Sequence, residues 1–466
     1  MKIGIIGATH AGVYAAKQIK SEHPEAEVTV FEKNTTVSFL SCGIALWIGD
    51  HVSDPEKMFY ETPESMRNQG ITMLMAHQVN QADLKSKTLT VTNLDTEEVT
   101  TQQFDKIVIT TGSKPVIPNI PGIDSNRVYF CKSWDDATRI KSVAKDLKRV
   151  AVIGAGYIGA ELAEQLSVTG KQVTLIDGAD RVLAKNFGPA FTERIQKEYE
   201  KNNVDVVLNQ FVSKFENTPN GIKITTPNGS YEADIAILGI GFLPNTDLFS
   251  GQLETLPNGA IIVNDYMQTS EDNVYAAGDA STVFFNPTQA IDYIPLATNA
   301  IRQGILVGKN IVEPTTRYLG TQATSAVELY EQAMVATGLN SATAKEKGLD
   351  VIETVIESDY RPDFMLSTTS VLSSLAWEKD TGRIVGGSFM SQHDVSQSAN
   401  LVSIAIQKQM TIDELAMSDF FFQPNFSQPI NYIPEVALAA VAEKQALTLA
   451  LSLIHISEPT RHAQIS

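Results

Sequence analysis

The chain has 466 residues, with 54 Asp and Glu against 36 Lys and Arg, a formal charge of −18 and two cysteines, Cys42 and Cys131. At roughly 100–200 residues per domain the length predicts two to four domains, and the acidity excludes nucleic acid and anionic membrane as partners by repulsion. Two cysteines cannot staple a secreted fold of this size, so a thiol-permissive, cytoplasmic location is expected; seven dispersed histidines without a cysteine cluster predict no metal site.

The N-terminus enters a strand-like run at once, MKIGIIG. No basic and then apolar leader precedes it, so no signal peptide is expected. No stretch reaches the roughly 18 uncharged apolar residues that a membrane span needs.

KIGIIGATHAGVYAAKQI reads as a short β-branched strand, a glycine turn and a helix. The following strand, AEVTVFE, closes on Glu32, 20 residues after Gly12. FDKIVITTGSKP is a hydrophobic strand ending in Thr111, Gly112 and Ser113. At Arg149 the opening pattern restarts as RVAVIGAGYIGAELAEQL, and KQVTLID closes on Asp177, 18 residues after Gly159. ADIAILGIGFLPN and TSEDNVYAAGDAS are two more apolar strands running into glycine turns. From about Thr321 the glycine-rich signature gives way to a separate α+β region. The expected fold is therefore α/β, with two Rossmann-like dinucleotide-binding domains and a C-terminal α+β domain.

The end of the chain, LSLIHISEPTRHAQIS from Leu451 to Ser466, resembles the in-frame translation of a sequencing-library adapter followed by an index. Residues 451–466 are expected to be non-native read-through and are left out of the functional reading.

GAGYIG (Gly154, Gly156, Gly159) matches G-x-G-x-x-G in full. The first glycine permits the tight turn, the second lets backbone approach a pyrophosphate, and the third allows close helix–strand packing. Asp177 is expected to accept from the adenosine ribose hydroxyls. With Asp180 it would repel a 2′-phosphate, which favours NADH over NADPH, although Arg181 is near. The first loop, GATHAG, keeps Gly7 and Gly12 but has Thr9 at the middle glycine; Glu32 restores the pattern.

Cys42 lies in VSFLSCGIALWIG. The bland reading of a free cysteine is a small buried hydrophobe. The flanking Ser41 and Gly43 instead place it at a turn or helix start, where amide donors lower a thiol pKa, and the redox reading is preferred. Cys131 keeps the bland reading. His10, inside the first loop, would sit at a helix start; it is read as a proton donor or acceptor rather than a solvent-facing histidine.

GATHAG with His10, SFLSCGIALW with Cys42, GAGYIGAELAE, YAAGD with Asp279 and IPLATNAIRQG together resemble the FAD-dependent NADH oxidase/NADH peroxidase family, a single-cysteine branch of the flavoprotein disulfide reductases. Within it the chain is most similar to the water-forming oxidases of lactic acid bacteria. The resemblance runs from Met1 to about Ala450. It implies an FAD-binding domain from 1–115 and 245–320, an NAD(H)-binding domain from 116–244 and a dimerisation domain from 321–450.

By the same resemblance Gly7, Thr9, Gly12, Glu32, Lys33, Ser41, Thr111, Gly112, Asp279, Leu296, Ala297 and Thr298 hold FAD. Gly154, Gly156, Tyr157, Ile158, Gly159, Asp177 and Gly241 hold NADH, with Tyr157 covering the flavin until nicotinamide arrives. The PLATNA stretch resembles a helix whose N-terminus faces the flavin pyrimidine. The implied reaction is four-electron reduction of O2 to water by NADH, through FAD and a Cys42 thiolate/sulfenic acid cycle, in a homodimer or higher homo-oligomer.

Two departures narrow this. Dithiol relatives carry C-x4-C, but position 47 here is Trp47; and FFFQPNFSQPINY lacks the histidine that disulfide reductases supply from a partner subunit. The alternatives are an NADH peroxidase using H2O2, a coenzyme-A-disulfide reductase, disfavoured by the Gly43-Ile44-Ala45 that follows the thiol, and a non-catalytic NADH-sensing flavoprotein.

Overall fold

The structure is a computed structural model that describes the backbone of residues 1–457 and the side chains of residues 1–450. The side chains of the expected read-through segment, Leu451–Ser466, thus lie outside the described residues, as does the backbone from position 458 onward. The chain divides into two units: residues 1–183, 195–285 and 289–321 form the first, and residues 184–194, 286–288 and those from 322 onward form the second.

The first unit contains two five-stranded parallel sheets. In the first sheet, β1 (Lys2–Ile6) pairs with β2 (Glu27–Glu32), which pairs with β3 (Ile71–Met75). On its other side β1 pairs with β4 (Lys106–Ile109). The helix α1 (His10–Glu22) crosses from β1 to β2. The chain then builds a second sheet from β5 (Val128–Phe130), β6 (Arg149–Ile153), β7 (Gln172–Ile176), β8 (Val204–Val207) and β9 (Ile235–Leu238), in the order β8-β7-β6-β9-β5. It returns to the first sheet with β10 (Val274–Ala276), parallel to β4.

Strands buried on both faces need continuous apolar runs, and the sequence supplies them. Ile3, Ile5, Val108, Ile109, Ala151, Val152, Leu175 and Ile237 are all fully buried. Three other helices matter for the site: α2 (Ile44–Ile48), α3 (Trp134–Ala144) and α4 (Tyr157–Val168). A fifth, α5 (Ala297–Asn310), packs on α1 through small residues. A Cβ at Gly304 would stand 2.5 Å from the Ala11 carbonyl oxygen, so only glycine permits this approach.

The second unit is built on an antiparallel sheet of β11 (Ser325–Leu329), β12 (Gln332–Gly338), β13 (Val351–Asp359), β14 (Ser370–Glu378) and β15 (Ile384–Ser391), in the order β11-β12-β15-β14-β13. Its helices include α6 (Ser396–Gln407) and α7 (Tyr432–Ser457). Trp377 and Phe389 are fully buried in a core shared with Val402, Ile406 and Val436. The architecture is α/β with an appended α+β unit. Among the described residues no helix is long and apolar enough to cross a membrane.

Candidate active site

The two glycine-rich loops are built alike. Gly7 and Gly154 both adopt φ +102°, and a Cβ there would lie 2.4 Å from the Thr110 carbonyl oxygen and 2.5 Å from that of Gly239. Gly12 and Gly159 bring each helix onto its loop: a Cβ would lie 1.9 Å from the Gly7 oxygen and 1.7 Å from the Gly154 oxygen. The loops differ at the middle position. At Gly156 a Cβ would meet nothing within 4 Å. The backbone geometry therefore leaves room for a side chain, which explains how the first loop accommodates Thr9, an exposed residue.

Each acid closing a βαβ unit grips its own loop. The Ala8 amide donates to Glu32 (2.8 Å) and the Ala155 amide to Asp177. The second carboxylate oxygen accepts from the Asn34 amide (2.9 Å) in one case and the Ala179 amide (2.6 Å) in the other. Glu32 is buried, and desolvation pushes its pKa up against the pull of these amides. Lys33 is exposed beside it. Near Asp177, Arg181 is 3.4 Å from Asp180.

The helices α1, α4 and α5 start on Thr9, Gly156 and Leu296, and none of these makes a side-chain cap hydrogen bond. By contrast, α3 carries a full capping box between Ser133 and Asp136. The uncapped ends leave amide donors for an anionic ligand. Tyr157 and Ile158 open α4, and Ala297 and Thr298 are exposed at the start of α5.

Asp279 sits on the turn that starts at Gly278, where an added Cβ would lie 3.0 Å from Ala11 of α1 and 3.3 Å from Ala300 of α5. The Ser113 hydroxyl donates to Asp279 (2.7 Å), Lys132 donates to Ser113 (2.8 Å), and the Lys132 ammonium is 3.6 Å from the carboxylate. The fully buried Gln303 of α5 accepts from the Gly278 amide (2.8 Å) and donates to the Thr282 carbonyl (2.8 Å), fixing the turn that carries Asp279. Two features leave this region open to a ligand. The Thr111 hydroxyl is buried with no hydrogen-bond partner, and a Cβ at Gly112 would meet nothing within 4 Å. Gly241, at φ +108°, is likewise open. The two loops, each with its closing acid and open glycines, fit two dinucleotides.

Cys42 occupies a 3-10 turn, Ser41–Gly43, ahead of α2, and is exposed, whereas Cys131 is buried with its thiol pushed up to about 12. The Cys42 thiol pKa is raised, not lowered as the flanking amide donors lead one to expect. The Cys42 and Gly43 amides do pull it down, but desolvation on the protein side and the Glu161 carboxylate outweigh them, and the net shift is upward. Glu161 itself is pushed up to about 7 by burial and by Glu164.

His10, the first residue of α1, is half-buried. Its Nδ1 lies 3.0 Å from the Tyr60 hydroxyl, and the two rings stack with centroids 5.7 Å apart. Burial pushes the His10 pKa down. The segment carrying Tyr60 runs antiparallel to the arm before Cys42. Phe39 bridges Phe59, the Leu40 amide donates to the Met58 carbonyl (2.9 Å), and the Ser38 hydroxyl donates to the Glu61 carbonyl (2.9 Å). Lys17 of α1 pairs with Glu61. One short segment thus ties the Cys42 arm to the His10 helix. Tyr60, Lys132 and Gln303 were not anticipated from sequence; the only available signal was the aromatic run of Phe59 and Tyr60, which has no helical or strand period.

Residues 1–304 match the family of the pyridine nucleotide-disulphide oxidoreductases, and residues 326–432 match its dimerisation domain. The chain belongs to this family. Within the family it is 48% identical to an NADH oxidase of Enterococcus faecalis over 443 residues, 95% of this chain and 99% of that protein. It is 36% identical to an NADH oxidase of Streptococcus pyogenes, over 94% of this chain and 99% of the relative. Among solved structures it superposes on a water-forming NADH oxidase from Lactobacillus brevis bound to NADH. There the TM-score is 0.95 and the identity 51%, covering 96% of this chain and all of the other.

Proposed function

We propose that this chain is a water-forming NADH oxidase that takes electrons from two NADH and reduces one O2 to two waters. The observation that carries the reading is a single exposed thiol, Cys42, on an arm tied to His10, with Trp47 where a dithiol enzyme would need a second cysteine. Strong likeness to proteins named NADH oxidases supports it.

FAD, when bound, supplies two-electron transfer from NADH to the acceptor. The chain holds it with the Gly7–Gly12 loop, Thr9, Glu32, Lys33, Ser41, Thr111, Gly112, Asp279 and the start of α5 at Leu296–Thr298. NADH lies on Gly154, Gly156, Tyr157, Ile158, Gly159, Asp177 and Gly241. The Cys42 thiolate attacks one oxygen of an O2-derived peroxide, giving Cys42 sulfenic acid and hydroxide, which a proton converts to water. Two further electrons and a proton return the thiolate and release the second water. His10 stabilises the oxygen that leaves.

Residues 1–115 with 245–320 form the FAD domain, 116–244 the NAD(H) domain and 321–450 the dimerisation domain of a cytoplasmic homodimer or higher homo-oligomer. The test is stoichiometry. In air the enzyme should oxidise two NADH per O2 without releasing H2O2. A requirement for added H2O2 would make it a peroxidase instead.

A further inference from the structure

His10 is half-buried, and among the described residues only one of its ring nitrogens has a hydrogen bond to a protein side chain. That partner is the Tyr60 hydroxyl, 3.0 Å from Nδ1. Among the described residues Nδ1 is likewise the one hydrogen-bond partner of the Tyr60 hydroxyl. Two arrangements are possible for a neutral imidazole: Tyr60 donates to a bare Nδ1, or Nδ1–H donates to Tyr60. The second leaves the tyrosine proton without a protein acceptor, whereas the first uses it.

Two conditions keep both partners neutral, so that the tyrosine proton is there to be donated. Burial lowers the His10 pKa, which favours the neutral ring, the form in which the two tautomers compete. Burial, with Tyr14 and Glu61 nearby, raises that of Tyr60, so the phenol keeps its proton. The ring itself is held in place. It stacks on His10 at an interplanar angle of 11°, meets Tyr14 at 5.8 Å, and sits on a segment clamped by Lys17–Glu61 and Ser38–Glu61.

We propose that Tyr60 is a positioning residue: its hydroxyl donates to Nδ1 of His10 and fixes the imidazole as the Nε2–H tautomer, which makes Nε2 a hydrogen-bond donor for the oxygen chemistry at Cys42. This rests on the proposed role of Cys42 and His10. It adds what the loop motif does not contain, namely that the donor nitrogen of His10 is chosen by a residue 50 positions away. A histidine whose tautomer is set by its other nitrogen presents one defined group to its substrate. Without the hydroxyl the ring divides between two tautomers, and only one of them can donate from Nε2.

The test has a direct spectroscopic arm. Nitrogen-15 NMR of histidine-labelled holoenzyme, with His10 assigned by its loss in His10→Gln, should show the Nε2–H tautomer; an Nδ1–H signal overturns the proposal. Tyr60→Phe keeps the ring stack and removes the donor. It should retain FAD, show a mixed His10 tautomer, and release part of the O2 it consumes as H2O2, where wild type releases none. Wild-type tautomer and wild-type peroxide in Tyr60→Phe would refute it. Cys42→Ser is measured beside it. If that variant makes only water, the thiol reading has failed; if it releases peroxide while Tyr60→Phe does not, Tyr60 alone has been misread.

Discussion

The indole rings of Trp47 and Trp134 stack face to face, 4.9 Å between centroids and 1° from parallel. Trp47 stands in α2, five residues after Cys42, and Trp134 opens α3. Phe39 and Phe59 meet Trp134 edge-on, at 5.6 Å and 5.1 Å. Lys141, from the same helix as Trp134, donates to the Trp47 carbonyl (2.7 Å) at the end of α2 and pairs with Asp50 (2.6 Å). The position that would carry the second cysteine of a dithiol instead anchors the arm that presents Cys42.

Trp134→Ala should therefore loosen this arm. The stack contributes about 1 kcal/mol beyond area burial, and truncating a half-buried indole should cost about 2 kcal/mol in all, less than at a fully buried site. Thermal melting of the holoenzyme measures the loss. Cys42 should also react faster with a disulfide reagent, a readout specific to it because Cys131 is buried.

Asp177→Ala should weaken discrimination between NADH and NADPH. It removes the charge that opposes a 2′-phosphate and the acceptor for the Ala155 and Ala179 amides. Loss of a hydrogen bond to a charged group predicts about a tenfold to hundredfold fall in kcat/KM for NADH. The ratio of kcat/KM values for the two nucleotides should move toward NADPH.

Glu161 predicts a specific pH signature. Its folded pKa, about 7, lies above its ordinary value of 4.5. An acid raised in this way favours the fold most when protonated, below pH 4.5, and that contribution fades as pH rises through 7. Glu161→Gln should match wild-type stability near pH 4.5 and exceed it at pH 8. It also removes a carboxylate that pushes the Cys42 thiol up, so the midpoint pH for Cys42 alkylation should fall. Melting curves and alkylation rates across pH 5–9 check both.

The parts of this molecule that were legible in sequence are those made by local chemistry. Each glycine loop announces itself because the turn, the close approach and the closing acid lie within one βαβ unit, and Thr9 was a readable departure. What was not legible arrives through distant pairings. Tyr60 reaches His10 only because the 58–61 segment lies along the Cys42 arm. Trp134 finds Trp47 across two helices, and Lys132 meets Asp279 from the second sheet's edge. The Cys42 pKa runs against the local expectation for the same reason: the amide donors are local and visible, while the desolvation and the Glu161 charge come from the fold.

The central claim is that Cys42 carries the peroxide-level step, and product analysis of Cys42→Ser with NADH in air tests it most directly. The account predicts one NADH consumed per O2 with H2O2 released, against two NADH per O2 and no H2O2 for wild type. Water as the sole product of the Cys42→Ser enzyme would contradict it.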